Sequence, residues 1–444
     1  MNIDDLLFIY FPTEDIRRLE YSARHFFNNI LNVDILIIRE REIFLMHDGA
    51  CINYSDEDLN HGLWIVPHGL LSEKGVRKIP DIEVFRWNDY FCFFKQERGD
   101  IPFDPFAASF YLLTLYEEYF PKQLDEHGRF DPKESLAYRN GFLEIPIIDR
   151  WAYLLKEELE KRYPDAKIKK KRFRLVSTFD IDHPYLYLKK GLLRSLGGMI
   201  RDMRNKQWED VKLRIAVHLR RKPDPYMEAL RWIDRIHKKA CKPYFLFVLM
   251  KDRGKYGRKT LYPLIAYYRY LKKLDSVTIG LHPSYDTYRN LEQLITEKKR
   301  FERVFGEDDV LISRQHFLRM RVPQTLRQLN ALGFRADYSV TFARMPGFRS
   351  GTAVSYYFYD VENDTNSMLL LRPTVVMDTC LITHMGLRPE EAIEKIKRLI
   401  DECKQSEGDF LSLWHNSNLT GNRDDNPWIN VFIESLRYAT SLEE

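Results

Sequence analysis

The segment Val176-Ser177-Thr178-Phe179-Asp180-Ile181-Asp182-His183-Pro184 sets two carboxylates and an imidazole at the end of an apolar, β-branched run. Residues 173–179 read as a buried strand. Pro184 forbids further sheet pairing. In parallel α/β sheets and barrels the C-terminal edge of the strands is where chemistry is done. One carboxylate there can hold a divalent metal while its neighbour takes a proton from the water that the metal activates. An Asp-x-Asp also suits a helix N-cap or an Asp-stabilised turn, so the residues downstream must decide.

Those residues fall into strands and helices that alternate. A helix over 227–240 precedes a strand over 244–250. A strand over 277–281 ends at His282, with Asp286 four residues further on. A helix over 290–305 leads to a short strand, 310–313, that ends at Arg314 with His316 close behind. A helix over 323–332 passes through Gly333 to Asp337. A helix over 390–405 precedes a strand over 410–414 that ends at His415. Repeated strand-then-helix order predicts a parallel sheet, open or closed into a barrel. Four strand ends then deliver polar candidates: Asp180 with Asp182, His282 with Asp286, Arg314 with His316, and His415. Asp337 is a looser fifth.

Residues 171 to about 420 resemble the polysaccharide deacetylase (NodB-like, carbohydrate esterase family 4) superfamily. The resemblance rests on Thr178-Phe179-Asp180-Ile181-Asp182, Gly280-Leu281-His282-Pro283-Ser284-Tyr285-Asp286, Ser313-Arg314-Gln315-His316, Asp337-Tyr338-Ser339 and Leu413-Trp414-His415. It implies a distorted (β/α) barrel around a divalent metal. By the match, Asp180 is the catalytic base and Asp182 a metal ligand, with His282 as a second. Asp286 stands where the family has its second His, and as third ligand it makes the shell more oxygen-rich. Such a shell suits Zn²⁺ and tolerates Mn²⁺ or another hard ion. His183 or His316 offers an alternative imidazole; otherwise both are pocket residues facing substrate. Arg314 would orient Asp180, although the family's Arg-x-Pro order is absent. Asp337 would orient His415, the general acid.

A basic run, Lys167 to Arg174, reads as a solvated connection and places the domain boundary. The deacetylase-like unit is then 171–444. Residues 1–165 form a smaller α+β domain, with a strand over 33–39, an extended aromatic run over 85–94, an amphipathic helix over 106–119 and a helix over 151–162. No metal-ligand spacing or phosphate loop is present there. Asp104-Pro105-Phe106-Ala107-Ala108-Ser109-Phe110-Tyr111, Tyr116-Glu117-Glu118-Tyr119 and Gly141-Phe142-Leu143-Glu144-Ile145-Pro146 resemble an uncharacterised domain found ahead of such deacetylase-like domains.

Two further segments carry expectations. Gly347 to Thr352 is a Gly-rich polar loop in which Arg349 could clamp an anionic sugar or a phosphate. Residues 186–222 form an insert with eleven Lys or Arg against three Asp or Glu. In it Leu192, Leu193, Leu196, Met199, Ile200 and Met203 recur at helical spacing. A basic amphipathic helix suits an anionic membrane surface; a lid packed on the barrel is the alternative.

The bulk numbers bound the class. A chain of 444 residues exceeds one ordinary core, and 44% hydrophobic with 30% charged residues is a soluble globular composition. A net charge of +4 argues against nucleic-acid binding. Five scattered cysteines form no Cys-x-x-Cys pair and fit reduced thiols. The opening Met1-Asn2-Ile3-Asp4-Asp5 carries acid where a secretion signal carries base, and no apolar stretch is long enough to span a bilayer. The expected location is cytoplasmic, at the inner face of the membrane if the insert binds there. The expected activity is metal-dependent removal of N-acetyl groups from an amino sugar, free or lipid-linked, in surface-polysaccharide assembly. The competing class is a non-catalytic carbohydrate-binding or assembly protein that kept the barrel.

Overall fold

The computed structural model describes residues 6–164, 172–250, 265–274, 276–306 and 311–443. Most of the basic run at the expected boundary, Lys167 to Lys171, lies outside the described residues, as does Val310.

The N-terminal half holds four short strands, β1 Leu7–Tyr10, β2 Ile35–Ile38, β3 Cys51–Tyr54 and β4 Leu63–Ile65, in the order β2-β1-β3-β4. All three pairings are parallel. Helix Arg17–Arg24 crosses between the first two strands and helix Arg41–Leu45 between the next two. Helix and strand thus alternate through β3, and from Pro105 to Arg162 the elements are all helical. The aromatic run over 85–94 is two strands, β5 Val84–Trp87 and β6 Tyr90–Phe93, paired antiparallel. Asn88, at φ +50°, makes the turn, since Asn tolerates the left-handed region. The expected amphipathic helix over 106–119 is shorter. It spans Pro105–Leu113, starts on an Asp104 cap that accepts from the Ala107 N–H at 2.9 Å, and is buried on every side. Its sequence, Pro-Phe-Ala-Ala-Ser-Phe-Tyr-Leu-Leu, has no polar face to expose. Helix Ile147–Arg162 closes this half.

The C-terminal half is built on a nine-stranded sheet. Its strands are β7 Arg174–Ile181, β8 Tyr244–Leu249, β9 Val277–His282, β10 Ile312–Ser313, β11 Ala336–Asp337, β12 Tyr356–Asp360, β13 Thr365–Leu371, β14 Val376–Met377 and β15 Asp409–His415. The order is β12-β13-β11-β10-β9-β8-β7-β15-β14, and only the β12–β13 hairpin is antiparallel. Helices Pro225–Ala240, Leu291–Phe305, Gln324–Ala331 and Pro389–Gln405 provide crossovers, as parallel pairing requires. The sheet is curled. Val176, Phe247, Ile312, Ala336, Tyr338 and Leu411, drawn from five strands and the residue beyond one of them, meet in one buried cluster on its concave side. Gly280 in β9 permits this closeness: a Cβ there would come within 2.7 Å of Ile312 and of the Phe247 ring.

The two halves share one continuous apolar core. Tyr21 and Phe110 pack on Tyr359 with ring centroids 5.0 and 5.3 Å apart. Asp149, buried in the N-terminal half, accepts from Thr352 Oγ1 at 2.5 Å and from the Ala353 N–H at 2.9 Å. Arg18 donates to Asp364 at 2.6 Å. No helix among the described residues is long and apolar enough to cross a membrane.

Candidate active site

Because strands β7, β9, β10, β14 and β15 run parallel, their C-terminal ends share one edge of the sheet. Asp180 is the seventh residue of β7 and the register partner of His415, the last of β15. Asp182 follows β7, His282 ends β9, and Arg314 and His316 follow β10. Asp378 follows β14 and enters the same constellation, although the sequence reading did not select it.

Arg314 organises the centre. It is fully buried, and Nη1 donates to Asp180 Oδ1 at 2.9 Å. Nε donates to the Tyr338 carbonyl at 3.1 Å and Nη2 to Thr374 Oγ1 at 3.3 Å. The Phe247 ring lies 4.5 Å from the guanidinium carbon. A buried cation is tolerable only when its donors are matched in this way. Asp180 is thus fixed through one oxygen, and the other, Oδ2, faces His282 Nε2 at 3.6 Å.

Among the described residues, Asp182, His282 and His316 form a group whose three ligand atoms all lie within 4.8 Å of one another. Each imidazole Nε2 is 3.3 Å from Asp182 Oδ1. Among the described residues that buried oxygen has no aligned hydrogen-bond donor. His282 Nδ1 lies 2.5 Å from the Arg314 carbonyl oxygen, to which it must donate. In the neutral ring Nε2 is then a bare lone pair pointed at a carboxylate oxygen. Two acceptors facing each other need a proton or a metal cation between them. Burial would lower the His282 pKa, but Asp180 and Asp182 raise it, which favours the proton when no metal is bound, and the donor set fits a divalent metal. Burial works against ionisation of Asp182, but the imidazoles of His316, His282 and His415 outweigh it and hold the carboxyl well below the usual range.

Asp286, the expected third ligand, lies outside this group. Glu297 binds both the Ser284 N–H and the Ser284 hydroxyl. The chain then turns into the 3₁₀ turn Tyr285–Arg289, where Asp286 is only half-buried. His316 supplies the third donor atom of the group. His183 is half-buried behind Asp182, and its carbonyl accepts from Asn416 Nδ2 at 3.1 Å.

His415 is held by Asp378, correcting the expected role of Asp337. Asp378 Oδ1 lies 2.7 Å from His415 Nδ1, and Oδ2 accepts the His415 N–H at 2.7 Å and Asn418 Nδ2 at 2.9 Å. Burial alone would lower the His415 pKa, but Asp378, with Asp182 and Asp180 behind it, pushes it up to about 10. Asp337 instead accepts from Ser313 Oγ at 2.7 Å and the Ser339 N–H at 2.8 Å, clamping β10 to β11. Burial raises its pKa. Arg349, expected to clamp an anionic sugar or a phosphate, is engaged elsewhere. It is buried, and its guanidinium grips Glu118 of the N-terminal half through two bonds of 2.7 and 2.5 Å. The whole loop from Gly347 to Thr352 is buried between the halves.

The turn that carries His316 is strained, with Phe317 at φ +61° and Leu318 at φ +54°, a region costly for bulky residues. The N-terminal half supports it. Arg129 Nη1 donates to the Phe317 carbonyl at 2.7 Å while paired with Asp125. His127 packs on the Phe317 ring at 5.0 Å and meets the Tyr285 hydroxyl at 3.2 Å. Arg319 donates to the His127 carbonyl at 2.6 Å and stacks on Tyr285.

Residues 7–164 match the model of a family described as of unknown function, DUF7033. No curated protein matches the chain. Among solved structures, the chain is similar to a Mycobacterium smegmatis protein assigned by inference as a polysaccharide deacetylase, at 14% identity and a TM-score of 0.39, over 61% of this chain and 84% of that one. It is similar to an allantoinase at 13% identity and a TM-score of 0.39, over 61% and 85%. A Bordetella bronchiseptica protein assigned in the same way as a polysaccharide deacetylase of O-antigen biosynthesis shares 12% identity at a TM-score of 0.29, over 65% and 97%.

Proposed function

We propose that this chain is a metal-dependent hydrolase that removes N-acetyl groups from an amino sugar. One observation carries the reading: a three-donor group, an arginine-held carboxylate and a carboxylate-backed imidazole converge on one sheet edge. Asp182, His282 and His316 would hold the ion. Two imidazoles and a carboxylate are the donor set of catalytic zinc sites and leave positions open, so Zn²⁺ fits better than Mn²⁺. When bound, the ion supplies a Lewis acid for the acyl carbonyl and lowers the pKa of water.

The chain's own residues do the rest. Asp180, fixed through Oδ1 by Arg314, has Oδ2 available to accept the proton of the attacking water. His415, cationic at neutral pH, can give its proton to the amide nitrogen as the C–N bond breaks. Water thereby adds to the acyl carbon, and acetate leaves the free amine behind. The motif resemblance over 171 to about 420 extends this to an N-acetylated saccharide of surface-polysaccharide assembly.

The test is acetate release from N-acetylated oligosaccharides by Zn²⁺-loaded protein, beside Asp180→Asn. Metal-dependent release, reduced roughly 10²–10⁴-fold in the variant, is the expected result. A metal-loaded protein that releases no acetate from any of them would leave a binding role on a deacetylase-like site.

A further inference from the structure

The insert after the active-site strand forms two helices, Leu192–Arg204 and Trp208–His218, that pack against each other. Their mutual face is fixed. Arg214 pairs with Asp202 at 2.5 Å, both buried, and its guanidinium lies over the Tyr187 ring at 4.5 Å. Gly198 makes room, because a Cβ there would meet Arg214 at 2.8 Å. The root is also tied. Asp224 accepts the N–H groups of Leu186, Tyr187 and Leu188, only a few residues beyond Asp182.

The opposite face is apolar and exposed. Leu193, Leu196, Ile200 and Met203 recur every three or four residues along the first helix, with Leu193 88% exposed. Trp208, Ile215 and Leu219, seven and four residues apart, are exposed along the second and at its C-terminal cap. Seven of the 18 large apolar side chains exposed among the described residues thus lie within residues 193–219. Such a patch marks an interaction surface. Its charge identifies the partner. The insert carries eleven Lys or Arg against three Asp or Glu, a surplus of eight positive charges, in a chain whose whole net charge is +4. Arg201, Arg204, Lys206, Lys212, Arg220, Arg221 and Lys222 are exposed beside the stripes.

We infer that this helical pair is a docking surface for an anionic lipid bilayer. Its apolar stripes enter the headgroup boundary and its basic side chains pair with lipid phosphates. Neither helix of the pair is long and apolar enough to cross a membrane, so the contact this pair makes is peripheral. Combined with the proposed deacetylation, on which this extension rests, the root beside Asp182 brings the site to saccharides whose lipid anchor stays in the bilayer.

The test needs no catalysis and so stands apart from the activity. Full-length protein is floated with phosphatidylglycerol-containing vesicles and with pure phosphatidylcholine vesicles, at low and high salt. Beside it run Leu193→Gln with Ile200→Gln, and Arg204→Glu with Lys206→Glu, all at exposed positions, with circular dichroism to check folding. The wild type should float with anionic vesicles at low salt and not with neutral ones. Each variant pair should lose roughly tenfold or more in partitioning. Wild type that stays unbound, or folded variants that float as well as wild type, would overturn the inference. A dimer in sedimentation that the Gln pair dissociates would also overturn it, by showing a second copy on the stripe.

Discussion

The carbonyl of Arg314 accepts a hydrogen bond from His282 Nδ1 at 2.5 Å, while the side chain of the same arginine donates to Asp180 at 2.9 Å. One residue therefore orients both an imidazole of the three-donor group and the carboxylate beside it, through different groups. Arg314→Met keeps the carbonyl and removes the guanidinium. Metal affinity, read by chelator competition, should stay within about tenfold. Acetate release should fall about 10²–10³-fold. Equal losses in affinity and rate would mean that the side chain does not act on Asp180 separately.

His415 and Asp378 give a pH signature. In metal-free protein His415 should titrate at about 10, against about 6.5 for an unperturbed imidazole. Because the folded value is raised, the pair's contribution to stability is complete below about pH 6.5 and is lost as pH rises through about 10. Asp378→Asn removes the main raising charge and leaves only Asp182 and Asp180 to oppose burial. NMR titration should then place His415 well below its wild-type value, and the alkaline limb of acetate release should move down with it. An unchanged titration would show that Asp378 is not the controlling partner.

The N-terminal half should affect the metal without touching it. Arg129→Ala removes the donor to the Phe317 carbonyl on the strained turn that presents His316. Affinity for Zn²⁺ should drop about 10–100-fold, the usual cost of losing support behind a ligand. Wild-type affinity in this variant would reduce the contact to simple packing.

Glu118 and Arg349 make a buried ion pair between the halves. Glu118→Ala leaves the arginine buried without its carboxylate and should cost about 3–5 kcal/mol. Glu118→Leu with Arg349→Met should recover most of that in denaturant unfolding. Folded double variant should release acetate at the wild-type rate. A raised KM with unchanged stability would instead make Arg349 a substrate group.

Much of this was legible in the chain, because strand-end chemistry leaves a local mark. An apolar run followed by Asp180, His282, Arg314 or His415 announces both the strand and the edge that it serves. Asp378 has the same mark in Thr374-Val375-Val376-Met377-Asp378, but the run is short and its strand has two residues. The sequence offers His316 as an alternative imidazole, but that it and not Asp286 clusters with Asp182 and His282 is not legible there. It depends on how Glu297 captures Ser284 and on the left-handed turn after His316, both set by tertiary contacts. Arg349 misled for a related reason: a Gly-rich polar loop reads as surface, whereas here Glu118, distant in sequence, buries it. The helix over 105–113 has a polar flank only when its sequence is continued through Tyr116–Tyr119, which forms a separate 3₁₀ turn.

The most direct test of the central claim is metal content by elemental mass spectrometry on protein purified without chelator, beside Asp182→Ala, His282→Ala, His316→Ala and Asp286→Ala. The account predicts about one divalent ion per chain, lost in the first three variants and kept in the fourth. Loss in Asp286→Ala with retention in His316→Ala would contradict it, as would a wild type that takes up no ion even after incubation with Zn²⁺.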